Sequence, residues 1–158
     1  MRIIDRPRGS HASMKNNLAI SDVQIIEFPQ FDYECSSLSV YQTGVMSSHV
    51  PFDIARAFVI TSTGRVIRGE HAHRKCTQLL IALSGRCILT FDDSKDTSNF
   101  DLARQRTGVL VPPSIWLELE FQEEPAAVLV LCDRPYEEED YIRDYDAFLS
   151  YRAGRSEP

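Results

Sequence analysis

The chain lacks the features that define several large protein classes. Its four cysteines include no C-x-x-C pair, and basic residues number only 17 against 23 acidic ones. No apolar run approaches the roughly 20 residues needed to cross a bilayer. A duplex-binding protein needs basic side chains to neutralise phosphates, so the acidic balance argues against nucleic acid as a partner. We also expect no membrane partner, and scattered cysteines without a secretory signal predict a cytoplasmic protein without disulfides.

What is present is the composition of an ordinary globular domain. The 158 residues are 43% hydrophobic and 25% charged, which is enough apolar material for one buried core. Residues 1–13 have the polar Gly-Ser-His composition of a vector-derived leader, and we exclude them from the fold. The sequence therefore predicts a single domain over residues 14–158.

Short apolar runs separated by turn residues predict strands along most of the chain. Ser84-Gly85 between two such runs predicts a tight hairpin. Eight or more strands without intervening helices predict an all-β sandwich or barrel. The predicted strands are Val23–Phe28, Leu38–Tyr41, Ala57–Thr61, Gln78–Leu83, Cys87–Phe91, Val109–Val111, Ile115–Phe121 and Ala127–Leu131.

The spacing of the apolar residues changes from a strand pattern to a helical pattern only near the C-terminus. Tyr141, Tyr145 and Phe148 lie three or four residues apart, which predicts a helix. The acidic run Glu137–Asp140 precedes them, and acidic side chains in a first helical turn are favoured by the backbone dipole. We therefore interpret this run as the solvated start of a short C-terminal α-helix.

The densest polar cluster lies in residues 68–78, between predicted strands. His71 and His73, two of only four histidines, are two residues apart, so in an extended chain both imidazoles project from one face. Imidazole titrates near neutrality and is common in catalytic and metal sites. The pair therefore marks the candidate functional site.

The residues around this pair follow a recognisable spacing. His71, His73, Gln78 and Gly85 form His-x-His, then four residues and an amide, then six residues and a glycine. This pattern resembles the first motif of the cupin superfamily, and Pro112–Leu117 occupies the frame of the second cupin motif. The resemblance implies a cupin jelly-roll β-barrel.

Two residues in these motifs depart from the metal-binding cupins, which use two histidines, a glutamate and a final histidine. Gln78 stands in the place of the glutamate, and Leu117 in the place of the last histidine. Leucine has no lone pair, and a neutral amide oxygen is a poor ligand for a transition ion. We therefore predict a metal-free site and no cofactor.

Four segments carry a narrower resemblance. They are Arg68–His73, Gln78–Gly85, Val111–Trp116 and Pro135–Tyr145. They resemble the sugar-nucleotide 3,4-ketoisomerases (FdtA/QdtA-like, or WxcM-like), whose members act on dTDP-4-keto-6-deoxyglucose in the synthesis of surface polysaccharides and work as metal-free homodimers. The resemblance implies that this chain is a 3,4-ketoisomerase of a dTDP-linked deoxyhexose and forms a homodimer.

The implied reaction moves a ketone from C4 to C3 through an enediol. It needs a base that removes the C3 proton and returns a proton at C4, and a group that titrates near neutrality suits both steps. We predict that His71 or His73 is this base and that the other imidazole polarises or protonates the oxygens. Which of the two is the base stays open at this point.

Four further residues are predicted to bind substrate. Arg68 offers several donors to an enediolate or a diphosphate, and Gln78 is expected to face inward and bond to the sugar. Arg56 matches a strand arginine of the family, although an exposed strand charge is an equal alternative. Tyr41 is expected to stack on a nucleotide base, with a half-buried strand tyrosine as the alternative.

Three residues stand where the family has polar groups: Cys35, Phe58 and Leu117. Their hydrogen-bonding groups are lost, while the histidine pair is intact. The alternative prediction is therefore a nucleotide-sugar-binding cupin with lost or altered catalysis, or a sugar-nucleotide epimerase.

Overall fold

The computed structural model describes residues 18–44 and 49–154, and the predicted leader lies outside them. Over these residues the chain forms twelve strands and one α-helix. Ten strands make two five-stranded antiparallel sheets, and two make a separate hairpin. The predicted all-β class with a short C-terminal α-helix is confirmed.

The first sheet contains the most apolar strands. Its central strands place three polar residues in one row, because Cys132 pairs with Gln78 on one side and with Arg56 on the other. In spatial order the strands are β1 (Gln24–Glu27), β9 (Thr107–Val111), β6 (Gln78–Ser84), β11 (Ala126–Cys132) and β4 (Arg56–Ser62).

The second sheet carries the histidine pair near one edge. Tyr141 pairs with His73, and Leu117 pairs with His71. In spatial order the strands are β12 (Tyr141–Ile142), β5 (Ile67–His73), β10 (Trp116–Phe121), β7 (Cys87–Asp92) and β8 (Thr97–Leu102).

Two elements lie outside these sheets. The hairpin of β2 (Gln30–Tyr33) and β3 (Ser36–Ser39) has exposed aromatic side chains. The helix α1 (Tyr145–Gly154) buries Phe148, whose ring lies 5.6 Å from that of Trp116. Among the described residues no helix is long and apolar enough to cross a membrane.

Alternation along the strands decides which side chains fill the space between the sheets. In β6, Leu80 and Ala82 pack in the core between the sheets, whereas Leu79 and Ile81 pack on the outer face. Each fully buried leucine contributes about 1.5–3 kcal/mol to folding. The same alternation places Gln78 on the inner face with Leu80, as the sequence predicts.

The observed strands include all eight predicted runs in whole or part, and four strands without a prediction: β2, β5, β8 and β12. The strand β8 reads Thr-Ser-Asn-Phe-Asp-Leu at a sheet edge, where burial imposes no apolar alternation. The two sheets share no strand, so they form an open sandwich and not the closed barrel we expected.

The predicted helix start at Glu137–Asp140 is wrong. Glu138–Asp140 forms a 3-10 turn, Tyr141–Ile142 returns to the second sheet, and the helix begins at Tyr145. Asp140 is buried and not solvated, because its carboxylate accepts hydrogen bonds from groups around the histidines. This difference brings an acidic residue into the candidate site.

Candidate active site

A cavity of about 190 Å³ lies between the two sheets beside the histidines. Its walls are mostly apolar, with a few polar groups converging on it, which is the usual make-up of a small-molecule site. The lining residues are Phe58, Ile60, Gly69, His71, Gln78, Leu80, Leu117, Leu119, Val130, Tyr141 and Arg143.

A bulge in β5 sets the direction of the histidines. Gly69 and Glu70 both have positive φ angles, +87° and +52°, and the register with β10 shifts opposite them. A Cβ at Gly69 would lie 2.6 Å from the carbonyl oxygen of Leu117, so this position needs glycine. Beyond the bulge the rings of His71 and His73 lie 5.0 Å apart.

His71 is held by a backbone carbonyl. Its Nδ1 lies 2.8 Å from the oxygen of Gly69, and a carbonyl only accepts, so Nδ1 carries the proton. Burial lowers the pKa of His71, and the nearby cations Arg143 and Arg56 lower it further. The neutral imidazole therefore presents the lone pair of Nε2.

His73 is held by a carboxylate. Its Nδ1 lies 2.8 Å from Oδ2 of Asp140, and both side chains are buried. Burial lowers the pKa of His73 to about 4, although Asp140 acts in the opposite direction. At neutral pH the contact is therefore a hydrogen bond from a neutral imidazole to a carboxylate, and not an ion pair.

The outer nitrogen of His73 is buried and has no hydrogen-bond partner in the described part of the chain. Asp140 is fixed in turn by the backbone N–H of Lys75 at 2.7 Å and of Cys76 at 3.2 Å. A carboxylate that orients an imidazole and stabilises its protonated form is the arrangement that catalytic histidines use. His73 with Asp140 thus has the surroundings of a general base.

Tyr141 contacts both histidine rings. Its ring centroid lies 4.3 Å from that of His73 and 5.0 Å from that of His71. Its hydroxyl accepts a hydrogen bond from Arg56 Nη2 at 3.3 Å, and the Arg143 guanidinium lies 4.2 Å from the ring centroid. We call His71, His73, Asp140 and Tyr141 the histidine cluster.

On the first sheet, one sulfur joins two of the predicted substrate-binding residues. Arg56 Nη2 lies 3.4 Å from Sγ of Cys132, and Gln78 Nε2 lies 3.8 Å from the same atom. The neighbouring Cys76 thiol and the Arg56 guanidinium lower the pKa of Cys132, against the raising effect of burial. We call Arg56, Cys132 and Gln78 the cysteine row.

Of the six predicted site residues, His71 and Gln78 line the cavity, and His73 and Arg56 contact its lining residue Tyr141. The other two are Arg68 and Tyr41. Arg68 is exposed and is not among the lining residues, whereas Arg143 is. Tyr41 lies on the outer face of the first sheet, where its ring packs 4.9 Å from Phe28 and its hydroxyl donates to the Gln105 carbonyl at 2.7 Å. The geometry therefore gives no support to a substrate contact by either residue.

A larger, more open groove of about 450 Å³ lies near the β2–β3 hairpin. Its lining contains Arg104 and Arg106 but no histidine, cysteine or carboxylate. Size alone does not make it the better candidate, because acid–base chemistry needs groups that exchange protons. The smaller cavity beside the histidines has them.

Within residues 18–44 and 49–154, one group of residues offers three ligand atoms to a metal ion: His73, Cys76 and Asp140. The Asp140 carboxylate already accepts three hydrogen bonds, from Lys75 N, Cys76 N and His73 Nδ1. The four positions that match the metal-binding positions of the cupin motifs hold His71, His73, Gln78 and Leu117, and Leu117 lines the cavity with a bare aliphatic side chain. The absence of a metal therefore stays a prediction based on this donor set.

Three residues of the site were not identified as functional from the sequence: Asp140, Tyr141 and Arg143. All three lie in the C-terminal segment, whose spacing of aromatic residues resembles a helix. The available signal was the resemblance of the segment Pro135–Tyr145 to the ketoisomerases, since this segment contains all three residues.

Comparison with known proteins identifies the family of this chain. A family model described as WxcM-like, C-terminal (FdtA) matches residues 21–153. The chain belongs to this family. The match spans every residue of the histidine cluster and of the cysteine row, so the cavity lies wholly inside the WxcM-like region.

Three similar proteins are named as 3,4-ketoisomerases or 3,4-oxoisomerases. The TDP-4-oxo-6-deoxy-alpha-D-glucose-3,4-oxoisomerase of Aneurinibacillus thermoaerophilus is 36% identical over 108 residues, 68% of this chain and 78% of that protein. A histidine-to-asparagine variant of the 3,4-ketoisomerase QdtA from Thermoanaerobacterium thermosaccharolyticum, solved with TDP-4-keto-6-deoxyglucose, has a TM-score of 0.81 at 27% identity. It covers 89% of this chain and 100% of its own. A 3,4-ketoisomerase from Helicobacter canadensis has a TM-score of 0.78 at 31% identity, covering 84% and 98% of the two chains.

Proposed function

We propose that this chain is a dTDP-4-keto-6-deoxyhexose 3,4-ketoisomerase that works without a metal. The observation that carries the proposal is the buried His73–Asp140 pair beside His71, at a cavity within a WxcM-like domain. The relatives named as 3,4-ketoisomerases support the same reaction and a nucleotide-linked sugar as substrate.

The histidine cluster provides the base. The proton on C3 is acidified by the neighbouring ketone, and its removal gives an enediol shared by C3 and C4. His73 takes this proton, because the Asp140 carboxylate 2.8 Å away stabilises the imidazolium that forms. His71 presents a second acceptor to the sugar hydroxyls through its Nε2.

The first sheet and Arg143 bind the substrate. Gln78 lines the cavity with an amide that hydrogen-bonds the sugar, while Arg56 lies in the same row. Arg143 lines the cavity as a permanent cation and pairs with the diphosphate, because a guanidinium offers several donors to phosphate oxygens. Arg143 thus takes the role that the sequence suggests for Arg68.

The protein acts in the cytoplasm as a homodimer, supplying keto sugars for surface polysaccharides. Edge strands β1 and β4 and the hairpin expose large apolar side chains, and a second copy covers such edges. These side chains are Ile25, Phe31, Tyr33, Leu38 and Val59, each about half exposed or more. Light scattering at micromolar concentration is expected to give the mass of a dimer, and a monomer would contradict this.

A second candidate, a nucleotide-sugar-binding protein without turnover, is favoured by the apolar side chains of Phe58 and Leu117 in the cavity wall. The two candidates are separated by incubating the protein with dTDP-4-keto-6-deoxyglucose and following the sugar by NMR. Appearance of the 3-keto product supports the isomerase. Tight binding of the sugar nucleotide without product supports the binding protein and overturns the proposal.

A further inference from the structure

Isomerisation needs a proton donor as well as a base. When the proton leaves C3, an electron pair moves onto the C4 oxygen, which must take up a proton to form the enediol. Both imidazoles already donate their Nδ1–H, His71 to Gly69 and His73 to Asp140. Because the pKa of each is lowered, both stay neutral and present only lone pairs. The donor must therefore be a different group.

The cavity wall offers one further group that exchanges protons. Among the described residues that line it, His71 and Tyr141 have side chains that act as general acids or bases in enzymes. Gln78 and Arg143 donate hydrogen bonds but keep their protons. The other lining residues are aliphatic, phenylalanine or glycine, so the phenol of Tyr141 is the available acid.

The contacts of Tyr141 prepare its hydroxyl for this role. Arg56 Nη2 donates to the phenol oxygen at 3.3 Å, so that oxygen acts as an acceptor toward the protein and keeps its own O–H for another partner. The rings of His73 and His71 lie 4.3 and 5.0 Å away, which puts the phenol beside the base. Tyr141 and His71 line the cavity, and His73 adjoins it through its contact with the Tyr141 ring.

We propose that Tyr141 carries a proton between the C4 and C3 oxygens of the sugar, an inference that rests on the proposed 3,4-ketoisomerase function. As His73 takes the C3 proton, the C3–H electron pair forms the C3–C4 double bond. The carbonyl pair moves to the C4 oxygen, which takes the phenol proton. The enediol is then neutral, while Tyr141 is a tyrosinate and His73 an imidazolium.

The second half of the reaction restores both groups. The tyrosinate takes the proton of the C3 hydroxyl, the C3 ketone forms, and the double-bond pair takes the imidazolium proton at C4. No oxidant or reductant is consumed. One phenol serves both oxygens because they are neighbours on the enediol, and Arg56 stabilises the tyrosinate between the two steps. Arg56 is thus a positioning residue for Tyr141.

Tyr141→Phe tests this role, because it removes the hydroxyl and keeps the ring between Arg143 and the histidines. We expect kcat to fall about 100-fold or more, with KM and the affinity for TDP unchanged. Tyr145→Phe is the matched control, since Tyr145 is exposed and bonds to Asp92, away from the cavity. This control is expected to keep the wild-type rate.

Fluorinated tyrosine at position 141 gives a second readout that keeps both ring and hydroxyl. Fluorine makes a phenol more acidic, so the limb of the kcat–pH profile that belongs to the phenol is expected to move to lower pH. A merely structural tyrosine would leave this profile in place. The substitution also decides the question if Tyr141→Phe does not fold.

The outcomes separate this inference from the proposed function. A wild-type protein that forms no 3-keto sugar overturns the proposed function. A wild-type protein that forms it, together with a Tyr141→Phe variant of equal kcat or a fluorotyrosine profile that does not move, overturns the role of Tyr141 alone.

Discussion

The two walls of the cavity hold their polar groups in different ways. On the second sheet, His71 and His73 each donate one N–H to a fixed oxygen and leave the other nitrogen unprotonated. On the first sheet, Arg56 and Gln78 both converge on one buried sulfur, that of Cys132. The first arrangement prepares lone pairs for proton transfer, whereas the second fixes donors that recognise a ligand.

This difference predicts different kinetic effects. A change in the histidine cluster removes an interaction used in the transition state and is expected to lower kcat. A change at Gln78 or Cys132 removes an interaction used equally by bound substrate and transition state, and is expected to raise KM. Arg56, a member of the cysteine row, also contacts Tyr141 of the histidine cluster, so a change there is expected to affect both constants.

The largest effect is expected from His73→Asn. The amide cannot accept and return a proton, so kcat is predicted to fall by about 10³-fold, within the range for loss of a general base. His71→Asn, whose imidazole has only a backbone carbonyl as partner, is predicted to lose less. Steady-state kinetics of both variants measures the order, and a larger loss for His71→Asn would assign the base to that residue.

Asp140→Asn is predicted to have the next largest effect. The neutral amide still fills the site but no longer stabilises the imidazolium of His73, and loss of such a partner typically costs about 10–100-fold. The loss should fall on kcat. Glu139→Gln is the control, because the carboxylate of Glu139 is next to Asp140 in the chain but is exposed. Equal kinetics for the two variants would contradict the role of Asp140.

Gln78→Ala tests the opposite wall. It removes a buried amide that lines the cavity, and loss of one hydrogen bond is predicted to raise KM about 10-fold at little cost in kcat. Gln105→Ala, at an exposed glutamine near the larger groove, should change neither constant. A Gln78→Ala variant with a lower kcat and an unchanged KM would contradict the prediction that the first sheet acts in binding and the second in proton transfer.

A smaller effect is expected in the pH dependence of stability. The pKa of His73 is about 4 in the folded chain and near 6.5 when unfolded. As pH falls, the unfolded chain takes up this proton first, so stability is complete above about pH 6.5 and is lost toward pH 4. The loss is about 3 kcal/mol.

Urea denaturation between pH 7 and pH 4 measures this loss. The His73→Asn variant lacks the titrating imidazole and should show a shallower decline than wild type over this interval. Parallel stability curves for the two proteins would contradict the lowered pKa. The charged and titratable groups that act on His73 are Asp140, His71 and Arg56.

The sequence predicted the fold class and the inward face of the site from local rules. Alternation placed Gln78 with Leu80 on the inner face, and the i, i+2 spacing placed the two imidazoles together. It did not predict Asp140 as the partner of His73, because that contact spans 67 residues of chain. Local patterns carry no information on such pairing.

The substrate contacts predicted for Arg68 and Tyr41 also depended on features that local sequence patterns do not show. Arg68 immediately precedes the bulge at Gly69 and Glu70, and a bulge changes the alternation on which side-chain direction depends. Tyr41 follows β3 and folds over the outer face of the first sheet, against Phe28. Neither the bulge nor the packing of Tyr41 on the outer face of the sheet can be predicted from the spacing of residues.

The most direct test of the account follows hydrogen exchange at C3 and C4 of dTDP-4-keto-6-deoxyglucose in deuterated water by NMR. Wild-type protein is predicted to wash deuterium into the sugar at these carbons while the 3-keto product forms, and His73→Asn to bind the sugar nucleotide without exchange. Exchange by His73→Asn at the wild-type rate would contradict the claim that the His73–Asp140 pair moves the proton.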